Sequence, residues 1–228
     1  DARVRTLVRL ARNDEALKLA RDRVARRDVD SSDLTRLGDT YAALDRNAEA
    51  AEAYLRAAAM MPAAGGGQTD AWTAYLLAAS ALDDAARWPE ARAAIEKGLL
   101  LAPDNALLLN FLGYAKLTHG EDIDAAEAMI RRASAIRPND SSITDSLGWA
   151  LYKRGKLSEA IATLQKASAG DPAQSEIGEH LGDALYTAGR RFEARFSWRA
   201  ALVTADARPA ARIQAKIDQG LGPATAAP

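Results

Sequence analysis

Catalysis needs a nucleophile, an acid–base pair, a metal cage or a phosphate cradle, and few residues here have the right type and spacing. His119 and His180 are the only histidines in 228 residues, and neither has a second histidine at ligand spacing. His119 falls in a turn and His180 in a helical segment, so both read as surface or partly packed side chains. Gly65-Gly66-Gly67 offers bare amides, but no strand precedes it and no Gly-Lys-Ser/Thr follows, so it is not a phosphate loop. Glu121, Asp122 and Asp124 gather acids without the ligand pattern of a calcium loop, which leaves a solvated turn. Cysteine is absent, excluding disulfides, thiolate metal sites and cysteine nucleophiles in either redox compartment. Four tryptophans could stack on bases, but the basic tracks that would hold phosphates are missing. The sequence reads as a non-enzyme with no cofactor, no metal and no nucleic-acid partner.

The elements that carry these residues are helical. Hydrophobic residues make up 48% of the chain and charged residues 27%, interspersed, which argues against both a membrane span and disorder. Alanine leads the composition, beside Leu, Glu, Lys and Arg, all good helix formers. β-branched and aromatic residues are too scattered for a sheet. No apolar stretch approaches the roughly 20 residues of a spanning helix. The net charge of −1 recruits neither nucleic acid nor an acidic membrane. Residues 1–30 are mildly basic, nine Arg or Lys against six Asp or Glu, and read as a solvated helix face.

A repeat organises the chain. Leu147 and Leu181 lie 34 residues apart, as do Gly148 and Gly182, Gly155 and Gly189, Ala160 and Ala194, and Ala167 and Ala201. Pro103, Pro138 and Pro172 follow at steps of 35 and 34. Leu-Gly, then Ala, a large apolar residue, Ala and Pro, in that order, resembles the tetratricopeptide repeat. The expected fold is all-α: a right-handed superhelical solenoid of about six hairpins with a C-terminal capping helix. The expected segments are a partial hairpin at 1–30, repeats at 31–64, 72–105, 106–140, 141–174 and 175–208, a capping helix at 209–221 and a disordered tail at 222–228. The first hairpin begins in mid-repeat, so the chain is expected to be a fragment with sequence upstream. Residues 65–71 stretch the Pro62–Pro103 spacing to 41 and read as a glycine-rich loop between repeats, with a hinge or docking loop as the functional alternative.

The repeat positions are steric devices. Gly38, Gly113, Gly148 and Gly182, with Ala50, Ala126, Ala160 and Ala194, let paired helices approach closely. Tyr54, Ile95, Ile130, Leu164 and Trp198 fill the space between hairpins, and the prolines end the second helices. No hairpin buries its apolar face alone. Ile213 and Ile217, four apart beyond Pro209, form the face of the expected capping helix.

The resemblance implies a concave groove lined by first helices. Carried onto this chain, its exposed positions are Thr35, Asp39, Leu76, Ser80, Asp83, Asp84, Asn110, Tyr114, Leu117, Asp145, Trp149, Tyr152, Lys153, Glu176, Glu179, Asp183 and Tyr186. Asp39, Asn110, Tyr114, Leu117, Asp145, Trp149, Tyr152, Lys153, Glu179, Asp183 and Tyr186 are the expected partner-binding set. They describe an aromatic floor with an acidic rim, suited to a protein or peptide carrying apolar and basic anchors. The acids would repel the acidic tails that chaperone-binding members of the family grip.

Residues 110–202 resemble a narrower group. Asn110-Phe111-Leu112-Gly113-Tyr114, Asp145-Ser146-Leu147-Gly148-Trp149, His180-Leu181-Gly182-Asp183 and Glu193-Ala194-Arg195-Phe196-Ser197-Trp198 are similar to the C-terminal half of proteobacterial tetratricopeptide lipoproteins. Some of these serve on the periplasmic face of the outer membrane as adaptors for a carboxyl-terminal processing protease. The resemblance implies a periplasmic scaffold, anchored through sequence upstream. A cytoplasmic assembly module binding through other surfaces and a non-catalytic arm of a longer enzyme stay open, as does self-association through exposed repeat ends.

Overall fold

The computed structural model describes residues 2–61 and 71–222, without the side chain of Arg208. Pro62, the glycine run 65–67 and residues 223–228 of the expected tail lie outside the described residues. The described chain is all-α, with thirteen helices and no strand. It divides into two compact units, Asp1–Leu108 and Leu109–Pro228.

In the first unit, α1 (Ala2–Arg9) pairs with α2 (Asn13–Val24), α3 (Ser31–Ala42) with α4 (Asn47–Met60), and α5 (Ala71–Asp84) with α6 (Trp88–Leu101). The division falls within α7 (Ala106–Thr118). The second unit continues with α8 (Ile123–Ile136), α9 (Ser141–Lys153) paired with α10 (Leu157–Gly170), and α11 (Ser175–Thr187) paired with α12 (Arg191–Thr204). It closes with α13 (Ala207–Gln219).

Each hairpin turns through one residue in the left-handed region, at equivalent repeat positions. These are Ala11, Asp45 and Ala86 in the first unit (φ 54°, 56° and 58°) and Gly120, Gly155 and Gly189 in the second (φ 67°, 73° and 79°). Four of the second helices, α2, α4, α6 and α12, also share a clasp that the sequence reading did not use. The arginine just before the helix bonds the glutamate three residues on, as Arg12–Glu15, Arg46–Glu49, Arg87–Glu90 and Arg190–Glu193. It stands where no side chain caps the helix, and being solvent-exposed or half-exposed it contributes little, on the order of 0–1 kcal/mol.

Close helix approach depends on the repeat glycines. A Cβ on Gly38 would sit 2.5 Å from the Tyr54 ring, and on Gly148 2.6 Å from Leu164 Cγ. One on Gly182 would overlap the Trp198 indole. Ile130 and Leu164 then continue into the cores of the following hairpins, beside Trp149 and Leu181 respectively. The cap begins at Ala207, two residues before the expected Pro209, because Pro209 fits the first turn, where an amide hydrogen has no helical acceptor anyway. Ile213 is buried against Ala194, Trp198 and Ala201, with Ile217 packed beside it.

Candidate partner-binding face

The expected groove residues of the second unit do come together, on α7, α9 and α11, but several are core rather than surface. Trp149 is only 1% exposed, and Leu117, Asp145, Glu179 and Asp183 are buried with it. This corrects the expectation of an open aromatic floor with an acidic rim. Two neighbours cause the burial: His180 from the next repeat covers Trp149 and bonds Asp145, and α13 covers Glu179 and Asp183.

His180 stacks on Trp149 with ring centroids 4.1 Å apart and planes 13° from parallel. Its Nδ1 lies 2.9 Å from Asp145 Oδ2. Burial alone would lower the His180 pKa, but the charge and hydrogen bond of Asp145 outweigh it and the net shift is upward. The reading of His180 as a surface or partly packed residue is therefore replaced by a fully buried hydrogen-bonded one. Tyr152 also stacks on Trp149, at 4.7 Å, and the exposed Lys153 ammonium lies 4.8 Å from the Trp149 ring centroid.

Behind this stack, α13 supplies two cations. Lys216, at 0% exposure, donates to Glu179 Oε1 at 2.6 Å and to both Asp183 oxygens at 2.8 Å. Arg212 grips Glu179 with two parallel bonds of 2.7 Å. Trp198 Nε1 donates to Asp183 Oδ1 at 3.0 Å. Burial opposes ionisation of Glu179, yet its bonds to Arg212 and Lys216 prevail and hold its pKa below the usual range. For Asp183 burial prevails, and its pKa is raised. Two carboxylates face two cations, so the acidic field expected of this face is neutralised within the chain. Sequence reasoning took Ile213 and Ile217 from α13 and missed Arg212 and Lys216. The available signal was their own spacing of four, one residue away from each isoleucine.

What remains accessible is a row of tyrosines. Tyr114, Tyr152 and Tyr186 are half-buried. The Tyr114 hydroxyl donates to Glu176 Oε1 at 2.6 Å, and burial followed by the Glu176 charge pushes its pKa far up. The Tyr152 hydroxyl is bonded to Thr187 Oγ1 at 3.0 Å, and Tyr186 packs on Trp198 at 5.5 Å. Asn110 is half-buried, and its Oδ1, like Asp145 Oδ1, is a buried acceptor without a hydrogen-bond donor.

Of the expected set, Asp39 lies in the first unit, exposed, accepting from the Tyr54 hydroxyl at 2.9 Å. The acids of the Glu121–Asp124 turn are engaged locally: Glu121 accepts from Lys116, Asp122 caps α8 at Ala125, and Asp124 accepts from Arg154. His119 is exposed just beyond α7.

The tetratricopeptide repeat profile matches residues 34–63, 76–141 and 146–211, more than half of the chain. The chain belongs to the tetratricopeptide repeat family. A stretch of 58 residues is 41% identical to TPR repeat-containing protein PA4667 of Pseudomonas aeruginosa, covering 25% of this chain and 10% of that relative. The chain thus spans about a tenth of that curated relative's length. The crystal structure of the APC/C hetero-tetramer Cut9–Hcn1 superposes with a TM-score of 0.74 at 17% identity, over 94% of this chain and 40% of that one. TTC0263, a TPR protein of Thermus thermophilus, gives 0.68 at 19% identity, over 83% and 98%. YrrB, described as a TPR protein with an unusual peptide-binding site, gives 0.53 at 19%, over 86% and 97%. At such identities the likeness shows the fold alone. Tetratricopeptide arrays bind protein or peptide partners, and as a family they are generally non-catalytic scaffolds. Among the described residues, no helix is long and apolar enough to cross a membrane.

Proposed function

We propose that the chain is a non-catalytic scaffold that docks a protein or peptide segment along α7, α9 and α11 of the second unit. The observation that carries this reading is the tyrosine row, in which Tyr114 and Tyr152 are pinned by hydroxyl hydrogen bonds and Tyr186 rests on Trp198. Aromatic groups already held in place lose little freedom on docking, which concentrates binding energy in few residues. Because Lys216 and Arg212 already satisfy Glu179 and Asp183, the partner presents apolar anchors and hydrogen-bond donors rather than a run of basic residues.

A finer role rests on the resemblance of residues 110–202 to periplasmic lipoprotein adaptors: presenting substrates to a carboxyl-terminal processing protease at the outer membrane. Fractionation of source cells with an antibody to the chain tests the location, and recovery in the cytoplasm would refute it. Cross-linked pull-down tests the function. It compares wild type with a Tyr114→Ala/Tyr152→Ala/Tyr186→Ala variant whose helical spectrum is retained. Loss of a specific partner supports the tyrosine row, and loss of a protease or its substrate supports the adaptor role. An unchanged set of captured proteins sinks the reading.

A further inference from the structure

The seam between consecutive first helices is filled in one unit and hollow in the other. In the second unit Trp149 is stacked by Tyr152 and by His180, so three rings occupy the space beside α9 and α11. The same repeat positions in the first unit hold Arg5, Val8 and Arg36, each 144 residues earlier. None of these carries an aromatic ring, and the space stays open. Helices α1, α2 and α3, all of the first unit, surround a cavity of about 320 Å³. Val4, Val8, Leu19 and Leu37 supply its apolar wall, and Arg5 and Arg36 line it as well.

Volume, shape and charge select the occupant. A cavity of about 150 Å³ takes a benzene, so this one holds a ring with a short side arm. It sits at the small end of the range for small-molecule sites and leaves no room for a folded segment. A planar ring suits it because rings fill the equivalent space in the second unit. Three arginines, Arg5, Arg23 and Arg36, line the cavity against two aspartates, Asp33 and Asp39, which leaves one positive charge in excess. Asp33 is buried and accepts from Arg23 at 2.9 Å, whereas Arg36 reaches it only at 3.4 Å. Arg5 makes no ion pair among the described residues. Arg5 and Arg36 therefore keep donors for a carboxylate, whose two oxygens match the guanidinium fork. Both arginines are solvent-exposed, so the apolar wall carries most of the binding and the charge selects among ligands.

We propose that the first unit binds a small aromatic monocarboxylate in this cavity. The ring lies against Val4, Val8, Leu19 and Leu37, and the carboxylate lies between Arg5 and Arg36. The site belongs to the other unit from the tyrosine row and does not depend on what docks there.

A nuclear magnetic resonance titration of the full chain tests the proposal, with 3-phenylpropionate, its neutral amide and the peptide Ac-Gly-Gly-Phe as probes. The acid is expected to shift amide signals of α1, α2 and α3 around the cavity, with a Kd of about 0.1–1 mM. The amide is expected to bind about tenfold more weakly. Arg5→Gln/Arg36→Gln should bring the acid down to the level of the amide without changing the melting temperature, since both side chains are exposed. Val8→Tyr restores the ring that Tyr152 provides in the second unit, and it is expected to abolish binding of acid and amide alike. The peptide, whose carboxylate is tied to a chain, is expected to bind at least tenfold more weakly than the free acid. Absence of shifts up to about 10 mM acid overturns the proposal, as do shifts centred away from the cavity. An acid that binds no better than its amide removes the arginines from the site and overturns it too. A peptide that binds as tightly as the acid would make the site a reader of chain ends and likewise overturn it.

Discussion

Each unit buries an acid against a cation from a neighbouring helix, but the paired cations differ in their access to water. In the first unit Asp33 is buried while its partners, Arg23 at 2.9 Å and Arg36 at 3.4 Å, remain half-exposed and exposed. In the second, Glu179 and Asp183 are buried and so is Lys216. Water screens the first arrangement and can replace a missing cation. In the second nothing but protein reaches the carboxylates, so the cluster holds α13 in one register and fails abruptly if a member is lost. The turns differ in the same direction. The second unit places glycine at all three of its hairpin turns, whereas the first accepts Ala11, Asp45 and Ala86 there.

The contrast predicts unequal responses to similar changes. Lys216→Ala should cost about 3–5 kcal/mol in urea unfolding, because two buried carboxylates lose their cation. Arg23→Ala should cost clearly less, and equal losses would mean that burial of the cation is not what separates the units. Next in size is overpacking. Gly148→Ala should cost about 1–3 kcal/mol, since the new methyl meets Leu164 Cγ at 2.6 Å, and an unchanged midpoint would show that α9 and α10 can separate cheaply. Turn substitutions follow with opposite signs. Ala86→Gly should stabilise and Gly155→Ala destabilise, each by about 1–2 kcal/mol, read as opposite shifts in melting temperature.

The smallest effect is a pH slope. The folded His180 pKa is raised above its ordinary value of 6.5, so its pairing with Asp145 stabilises fully below about pH 6.5. That contribution is lost as pH rises through the raised folded value. Unfolding midpoints measured from pH 6 to pH 9 should therefore fall more steeply for wild type than for His180→Asn. Parallel slopes would remove His180 as the titrating group.

Much of the fold was legible because packing constraints repeat with the chain. Leu147 and Leu181, Gly148 and Gly182, and Ala160 and Ala194 announce paired helices by spacing alone. Trp198 was rightly placed in the core by the same frame, since it occupies the position of Ile130 and Leu164. The candidate face was less legible. Trp149, Asp145, Glu179 and Asp183 occupy positions that the repeat frame marks as exposed, and what buries them comes from elsewhere in sequence. His180 is 35 residues from Asp145, and Lys216 is 37 from Glu179.

The sequence by itself determined the all-α repeat, the small residues where helices touch and the apolar face of the final helix. Those features follow from period, side-chain volume and backbone preference, which are local properties that recur every 34 or so residues. Only the tertiary structure decided which groove-facing acids are open to a partner and which are neutralised in place. Charge compensation depends on distance through space and on exclusion of water. Neither is written in the spacing of Arg212 and Lys216 until α13 is laid against α11.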